Sequence, residues 1–181
     1  MKEILDIGCG TRKHSGAVGM DINPSVSPDV LHNLNIIPYP FKDSFFDEIY
    51  ADNTMEHLDD IVKVMEELHR IGKPGALVKI DVPYFRAKWA FIDPTHKHFF
   101  TVESFSYFDP NHAHNKLYPY SPKKFQIEKI VFNEDFIYRG VIGWFANRIK
   151  NIANRYPLGY ENYISHIFPL DELSFYIKVI K

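Results

Sequence analysis

Short apolar runs, broken by glycine, proline and acidic residues, mark out most of the chain. Their period predicts strands over 3–7, 17–21, 29–33, 46–51, 76–82, 125–132 and 173–180. Between the fourth and fifth lies one clear helix, 59–71, with Ile61, Val64, Met65, Leu68 and Ile71 on a single face and Asp59 as its expected N-cap. Lys73-Pro74-Gly75 stops that helix and turns the chain into the next strand. Helix followed by strand makes a crossover, so this half is expected to form a parallel sheet. The last two strands are expected to pair antiparallel at one edge. Residues 83–124 are rich in Pro, His, Phe and Tyr and show no period. A loop of that length is usually functional, and this one follows the carboxyl end of a strand, where open α/β sheets bind ligands. In 139–156, Ile142, Phe145, Ile149, Ile152 and Tyr156 share a helical face, while Arg148, Lys150, Asn151, Asn154 and Arg155 fill much of the rest. That segment reads as a cover helix or lid, or else as a helix for a partner or an anionic membrane surface.

The first strand stops at Gly8-Cys9-Gly10 and the second ends on Asp21. A parallel sheet uses this order of parts to hold an adenosine ligand. The glycine turn lets the ligand approach the backbone, and the acid at the next strand tip meets two ribose hydroxyls. Asp21 as a simple turn residue is the plainer reading. Asp6, just before the turn, puts a carboxylate where a pyrophosphate would be repelled and an ammonium group welcomed. The ligand this points to is S-adenosylmethionine rather than NAD. Lys13 stands where a third glycine would be, and Asp21 follows Gly8 by only thirteen positions, against about 20 for a full crossover helix. The first crossover is therefore expected to shrink to a loop over 11–16, with Arg12 or Lys13 replacing the helix N-terminus as donors to a ligand carboxylate.

With 181 residues the chain is most simply one domain. A net charge of −2 gives no electrostatic case for nucleic acid. A single cysteine suits a reducing compartment, no apolar run is long enough to span a bilayer, and the chain opens directly on its first strand. A cytoplasmic protein without a leader segment is expected.

Beyond the glycine turn, Leu5-Asp6-Ile7-Gly8-Cys9-Gly10 resembles motif I of the class I S-adenosylmethionine-dependent methyltransferases. The stretch from Asn33-Leu34-Asn35 through Pro38–Ala51 to Met55-Glu56-His57-Leu58 resembles the family's second block. Glu67–Ala76 is similar to its helix and Lys-Pro-Gly turn, and Asp93–Thr101 to a block of a small type-11-like subgroup. The resemblance covers about 3–108 and the terminal strand. It implies a Rossmann-like α/β fold with a seven-stranded, mostly parallel sheet and an antiparallel edge; the shortened first crossover helix is this chain's departure from the family pattern. It implies transfer of the sulfonium methyl group to an acceptor that the sequence leaves open: a small molecule, a glycan or a lipid-linked compound. A non-catalytic binding module or partner subunit is the alternative. The implied cofactor contacts are Asp6, Gly8, Cys9, Gly10, Asp21, Ile22, Asn33, Leu34 and Asn53. Among them, Asn33 replaces a more usual Asp opposite the adenine amino group, and Cys9 reads as a small buried residue. His96 and His57 are the candidate bases. The pairs His96/His98 and His112/His114 have no cysteine beside them, and no metal is expected.

Overall fold

The computed structural model describes residues 2–136 and 139–181, without the side chain of Ile142. Seven strands form one sheet: β1 (Ile4–Ile7), β2 (Val18–Asp21), β3 (Val30–Leu31), β4 (Phe46–Asp52), β5 (Gly72–Pro83), β6 (Lys124–Phe132) and β7 (Glu172–Ile180), in the order β3-β2-β1-β4-β5-β7-β6. The pairs from β3 to β5 are parallel, and β7 runs antiparallel between β5 and β6. The helices are α1 (Ile61–Ile71), α2 (Trp89–Ile92), α3 (Ala113–Leu117), α4 (Gly140–Arg155) and α5 (Pro157–Tyr163). No helix among the described residues is long and apolar enough to cross a membrane.

The apolar face of α1 is buried as its period requires, with Val64, Met65, Leu68 and Ile71 all at 1% exposure or less. Its N-cap is Asp60, whose side chain accepts the Lys63 N–H; the expected cap, Asp59, lies one residue outside. Arg70, near the end of α1, pairs with the buried Glu67 and donates to the carbonyls of Tyr39 and Phe41. That network fastens the irregular chain before β4 to the helix.

The first crossover contains no helix. Its loop is held by His14, which donates its backbone N–H to Asp6 Oδ2 at 2.8 Å, stacks its ring on Tyr50 at 4.0 Å and donates from Nε2 to Asp52 Oδ2 at 2.9 Å. Lys13 lays its stem on Gly19 of β2, where an added Cβ would meet Lys13 Cδ at 2.5 Å and Cys9 Sγ at 2.8 Å. Its ammonium pairs with Asp29 at 2.6 Å, so it is already engaged and faces away from a donor role toward a ligand carboxylate.

The expected apolar face of 139–156 is corrected. In α4, Ala146 and Ala153 are buried and Ile149 packs on the core, whereas Phe145, Ile152 and Tyr156 are exposed; the side chain of Ile142 is outside the described residues. The helix approaches β6 through its small residues, and Asn154 bonds both the N–H and the carbonyl of Phe132. Small side chains give the closest backbone approach, so the larger ones are left on the far side.

Candidate active site

The carboxyl ends of the strands β1, β2, β4 and β5 open into three adjoining cavities. The first, of about 340 Å³, is lined by Gly8, Asp21, Ile22, Asn33, Leu34, Asn35, Asn53, Thr54, His57 and Leu58. The second, of about 670 Å³, is acidic: Asp6, Asp52, Asp81, Asp135 and Glu172 face it, with Arg12 and His14 as the basic groups. The third, of about 330 Å³, lies between Glu56, Trp89, Ile92, His96 and Glu172. Asn53 lines all three. It sits directly after β4 in a left-handed conformation (φ 45°), and its N–H is held by the Asp81 carbonyl at 2.8 Å.

Several features position the first two cavities. Gly8 and Gly10 adopt φ of 65° and 49°, a region open to glycine. At Gly10 an added Cβ would meet nothing closer than 4.0 Å, so the backbone there is bare toward the cavity. Asp21 accepts the N–H of Gly10 at 2.9 Å and of Asn23 at 2.8 Å, which fixes the loop and leaves further lone pairs for a ligand. Asn33 is held through its Oδ1 by the Asn35 N–H at 3.0 Å.

Residues 5–80, the stretch that carries most of these walls, match the family model described as a methyltransferase domain. Over that stretch the chain carries a methyltransferase domain, of the kind that depends on S-adenosylmethionine in solved structures of the same fold. No curated protein sequence matches it. Among solved structures it is similar to a methyltransferase of that dependence from Archaeoglobus fulgidus (TM-score 0.58, 18% identity, 98% of this chain and 86% of the other). It is also similar to ones from Mesorhizobium loti (0.57, 14%, 98% and 90%) and Aquifex aeolicus (0.57, 12%, 99% and 82%). At these identities the likeness is one of fold.

The residues fit the methyltransferase's cofactor by their chemistry. A sulfonium and an ammonium are cationic, and the second cavity is acid-lined; a ribose diol needs acceptors, which Asp21 supplies. Burial raises the pKa of the Asp6 carboxyl, against the pull of the His14 N–H, and a cationic partner would lower it again. Burial first, then Asp6 and Asp21, raise the Cys9 thiol, which suits a wall residue and not a nucleophile. Asp52 Oδ1 and Asp81 Oδ1 are buried without a hydrogen-bond partner among the described residues.

The histidines separate. His57 faces the first cavity and His96 the third, with ring centroids 4.7 Å apart. His98 turns away to the Leu58 carbonyl, and His112 and His114 sit around Glu103, remote from these three cavities. Burial, followed by His96, lowers the His57 pKa and keeps that ring neutral. The lid expected from 139–156 is corrected as well: no described residue of α4 lines these cavities, and it is Asp135 and Phe136, just before it, that reach two of them.

Glu172 is a wall residue that sequence reasoning passed over. It is placed by Asn133, whose Oδ1 accepts the N–H groups of Asp171 and Glu172, each at 2.8 Å. Burial, with Asp81 nearby, pushes its carboxyl from 4.5 up to about 7. A folded state that keeps a proton the unfolded chain has lost is destabilised as pH rises from about 4.5 to 7, and the deficit persists above that. At about 1.4 kcal/mol per unit, the deficit is at most about 3–4 kcal/mol, and solvent screening of this half-buried group reduces it. Glu172→Gln is therefore expected to raise the melting temperature at pH 8 by about 3–8 °C and to change it little at pH 4.5. Equal shifts at both pH values would rule out this burial penalty.

Proposed function

We propose that the methyltransferase acts on a small polar acceptor bound in the third cavity, with its cofactor in the first two. The observation that carries this reading is Asn53, the one residue among those described that all three cavities share, which makes it the seam where cofactor and acceptor meet. Bound S-adenosylmethionine would supply a methyl group already activated by its positive sulfur. On this reading Asp21 holds the ribose hydroxyls. Asn33 and Leu34 face the base, and Ile22 packs beside it. Asp6 faces the ammonium, Gly8, Cys9 and Gly10 form the floor, and Arg12 is left as the donor to the carboxylate.

The protein then contributes positioning and exclusion of water. The acceptor cavity has Glu56, Asp93, Asp171 and Glu172 in its walls and, among the described residues, no lysine or arginine, which favours a hydroxyl compound or an amine over an anion. Trp89 and Ile92 supply the apolar side. His96 orients the nucleophile, and Glu172, with its raised carboxyl, takes its proton. His57, on the adenosine side, is given no proton-transfer role.

Calorimetric titration with S-adenosylmethionine, S-adenosylhomocysteine and NAD tests the cofactor half. The two S-adenosyl ligands are expected to bind at least about tenfold more tightly than NAD, a difference near 1.4 kcal/mol; tighter NAD would overturn it. Formation of S-adenosylhomocysteine with a panel of amines, alcohols and anionic compounds tests the acceptor half. His96→Gln is expected to slow that reaction while leaving S-adenosylhomocysteine affinity within about threefold. Turnover confined to anionic acceptors would overturn the acceptor assignment.

A further inference from the structure

The structure assigns a binding site for one divalent metal ion to Glu56, His57 and His96. Each residue offers a ligand atom, and the three atoms lie within 4.8 Å of one another. The site departs from the sequence expectation of no metal, which considered only the His-x-His pairs. Glu56 is 1% exposed, and neither of its carboxylate oxygens has a hydrogen-bond partner among the described residues. The nearest basic atom is His96 Nε2, at 4.0 Å. A carboxylate buried so far without donors is costly and calls for a positive partner.

The two rings are held in one tautomer by their neighbours. His96 Nδ1 lies 3.0 Å from the Ala90 carbonyl, which can only accept, so Nδ1 carries the proton. His57 Nδ1 lies 2.9 Å from Thr95 Oγ1, and that hydroxyl already gives its one hydrogen to Asp93 at 2.6 Å. His57 Nδ1 must therefore be the donor as well. In both neutral rings the free lone pair is on Nε2. An Nδ1–H fixed on a carbonyl or a carboxylate-backed hydroxyl is the supporting arrangement that metal-binding histidines need. Two imidazoles with one carboxylate suit ions such as Zn²⁺, Fe²⁺, Co²⁺ and Mn²⁺.

The second cluster of this composition shows the contrast. Glu103 lies 3.4 Å from both His112 Nε2 and His114 Nε2, and all three side chains are about one-third exposed. There His112 Nδ1 accepts the His114 N–H, so the proton of its neutral ring sits on Nε2, the nitrogen that faces Glu103. That cluster is open to water where Glu56 is buried, and it serves as an internal control. Glu56 and His96 both line the third cavity, so an ion there would face the acceptor and select a hydroxyl compound over an amine. This role rests on the proposed function; the ion site itself does not.

The test is titration of the chelator-dialysed protein with Zn²⁺ and, for its visible spectrum, Co²⁺. One ion per chain is expected, bound at least tenfold more weakly by Glu56→Gln and by His96→Gln and unchanged in His112→Gln. Absence of binding to the parent protein would overturn the site, as would binding indifferent to His96→Gln or lost in His112→Gln. Circular dichroism accompanies each variant, and His96→Gln decides alone if Glu56→Gln does not fold. A parallel titration with S-adenosylhomocysteine separates the two readings. Cofactor binding without ion binding leaves the reaction standing and removes the metal. Ion binding without cofactor binding removes the reaction and leaves the metal.

Discussion

Gly8→Ala is expected to abolish measurable cofactor binding and to lower the melting temperature by about 5–15 °C. Gly8 lies at φ 65°, where an L residue costs about 1–2 kcal/mol. Its new Cβ would also meet Thr54 Oγ1 at 2.2 Å and Cγ2 at 2.7 Å. Thr54 has nowhere to go. It is 5% exposed, and its hydroxyl is engaged with the carbonyls of Ile7 and Asp52. Overpacking of that kind adds about 1–3 kcal/mol, so the two effects together amount to about 2–5 kcal/mol. For a chain of this size that becomes the quoted change in melting temperature. Gly8 also lines the first two cavities, so any shift of Thr54 or of the turn is felt there. Thr54→Ala placed beside Gly8→Ala should recover part of the lost stability by removing the colliding atoms. Gly10→Ala provides the comparison, since its Cβ would meet only open space; stability should fall less and cofactor affinity should still suffer. A Gly8→Ala protein that melts like the parent would contradict the packing described.

Asp21→Ala is expected to weaken S-adenosylhomocysteine binding by about 10- to 100-fold, or about 1.4–2.8 kcal/mol. Two charge-assisted hydrogen bonds are worth about 1.5–3 kcal/mol each before water replaces them. The structure adds an indirect contribution, because the same carboxylate holds the Gly10 and Asn23 N–H groups. Asp21→Asn separates the two. It keeps one acceptor oxygen and the shape, so the loop should survive and affinity should fall to an intermediate value. Calorimetry on the three proteins decides, and an unchanged dissociation constant in Asp21→Ala, with the fold intact by circular dichroism, would remove this residue from the site.

The sheet and α1 were legible because their signals are local. Apolar runs end at Gly8, Asp21 and Pro83, and the face of α1 repeats at helical spacing. Residues at strand ends, such as Asp6, Gly8, Asp21 and Asn53, fall near one another in any parallel sheet, and here they line adjoining cavities. What escaped depends on partners distant in sequence. Glu56 lies inside a stretch that attracted notice, yet its isolation arises only because the chain after α2 folds back and donates the Lys97 N–H to its carbonyl. Glu172 reaches the site through antiparallel pairing with Pro83. The buried face of α4 escaped because Ala146 and Ala153 carry almost no hydrophobic signal.

The outer strands of the sheet have a bearing on how the molecule behaves among its own copies. An open sheet exposes a row of unpaired N–H and C=O groups at each end, and a long flat row invites another chain to add a strand. Here β3 is two residues long, so one rim supplies scarcely a rung. At the other rim, β6 shifts register between Ile127 and Lys129, and Lys124, Glu128 and Lys129 stud it with charge. A bend and alternating charge spoil the match that an incoming strand needs. The molecule thus carries its seven-stranded sheet with both rims blunted against edge-to-edge aggregation.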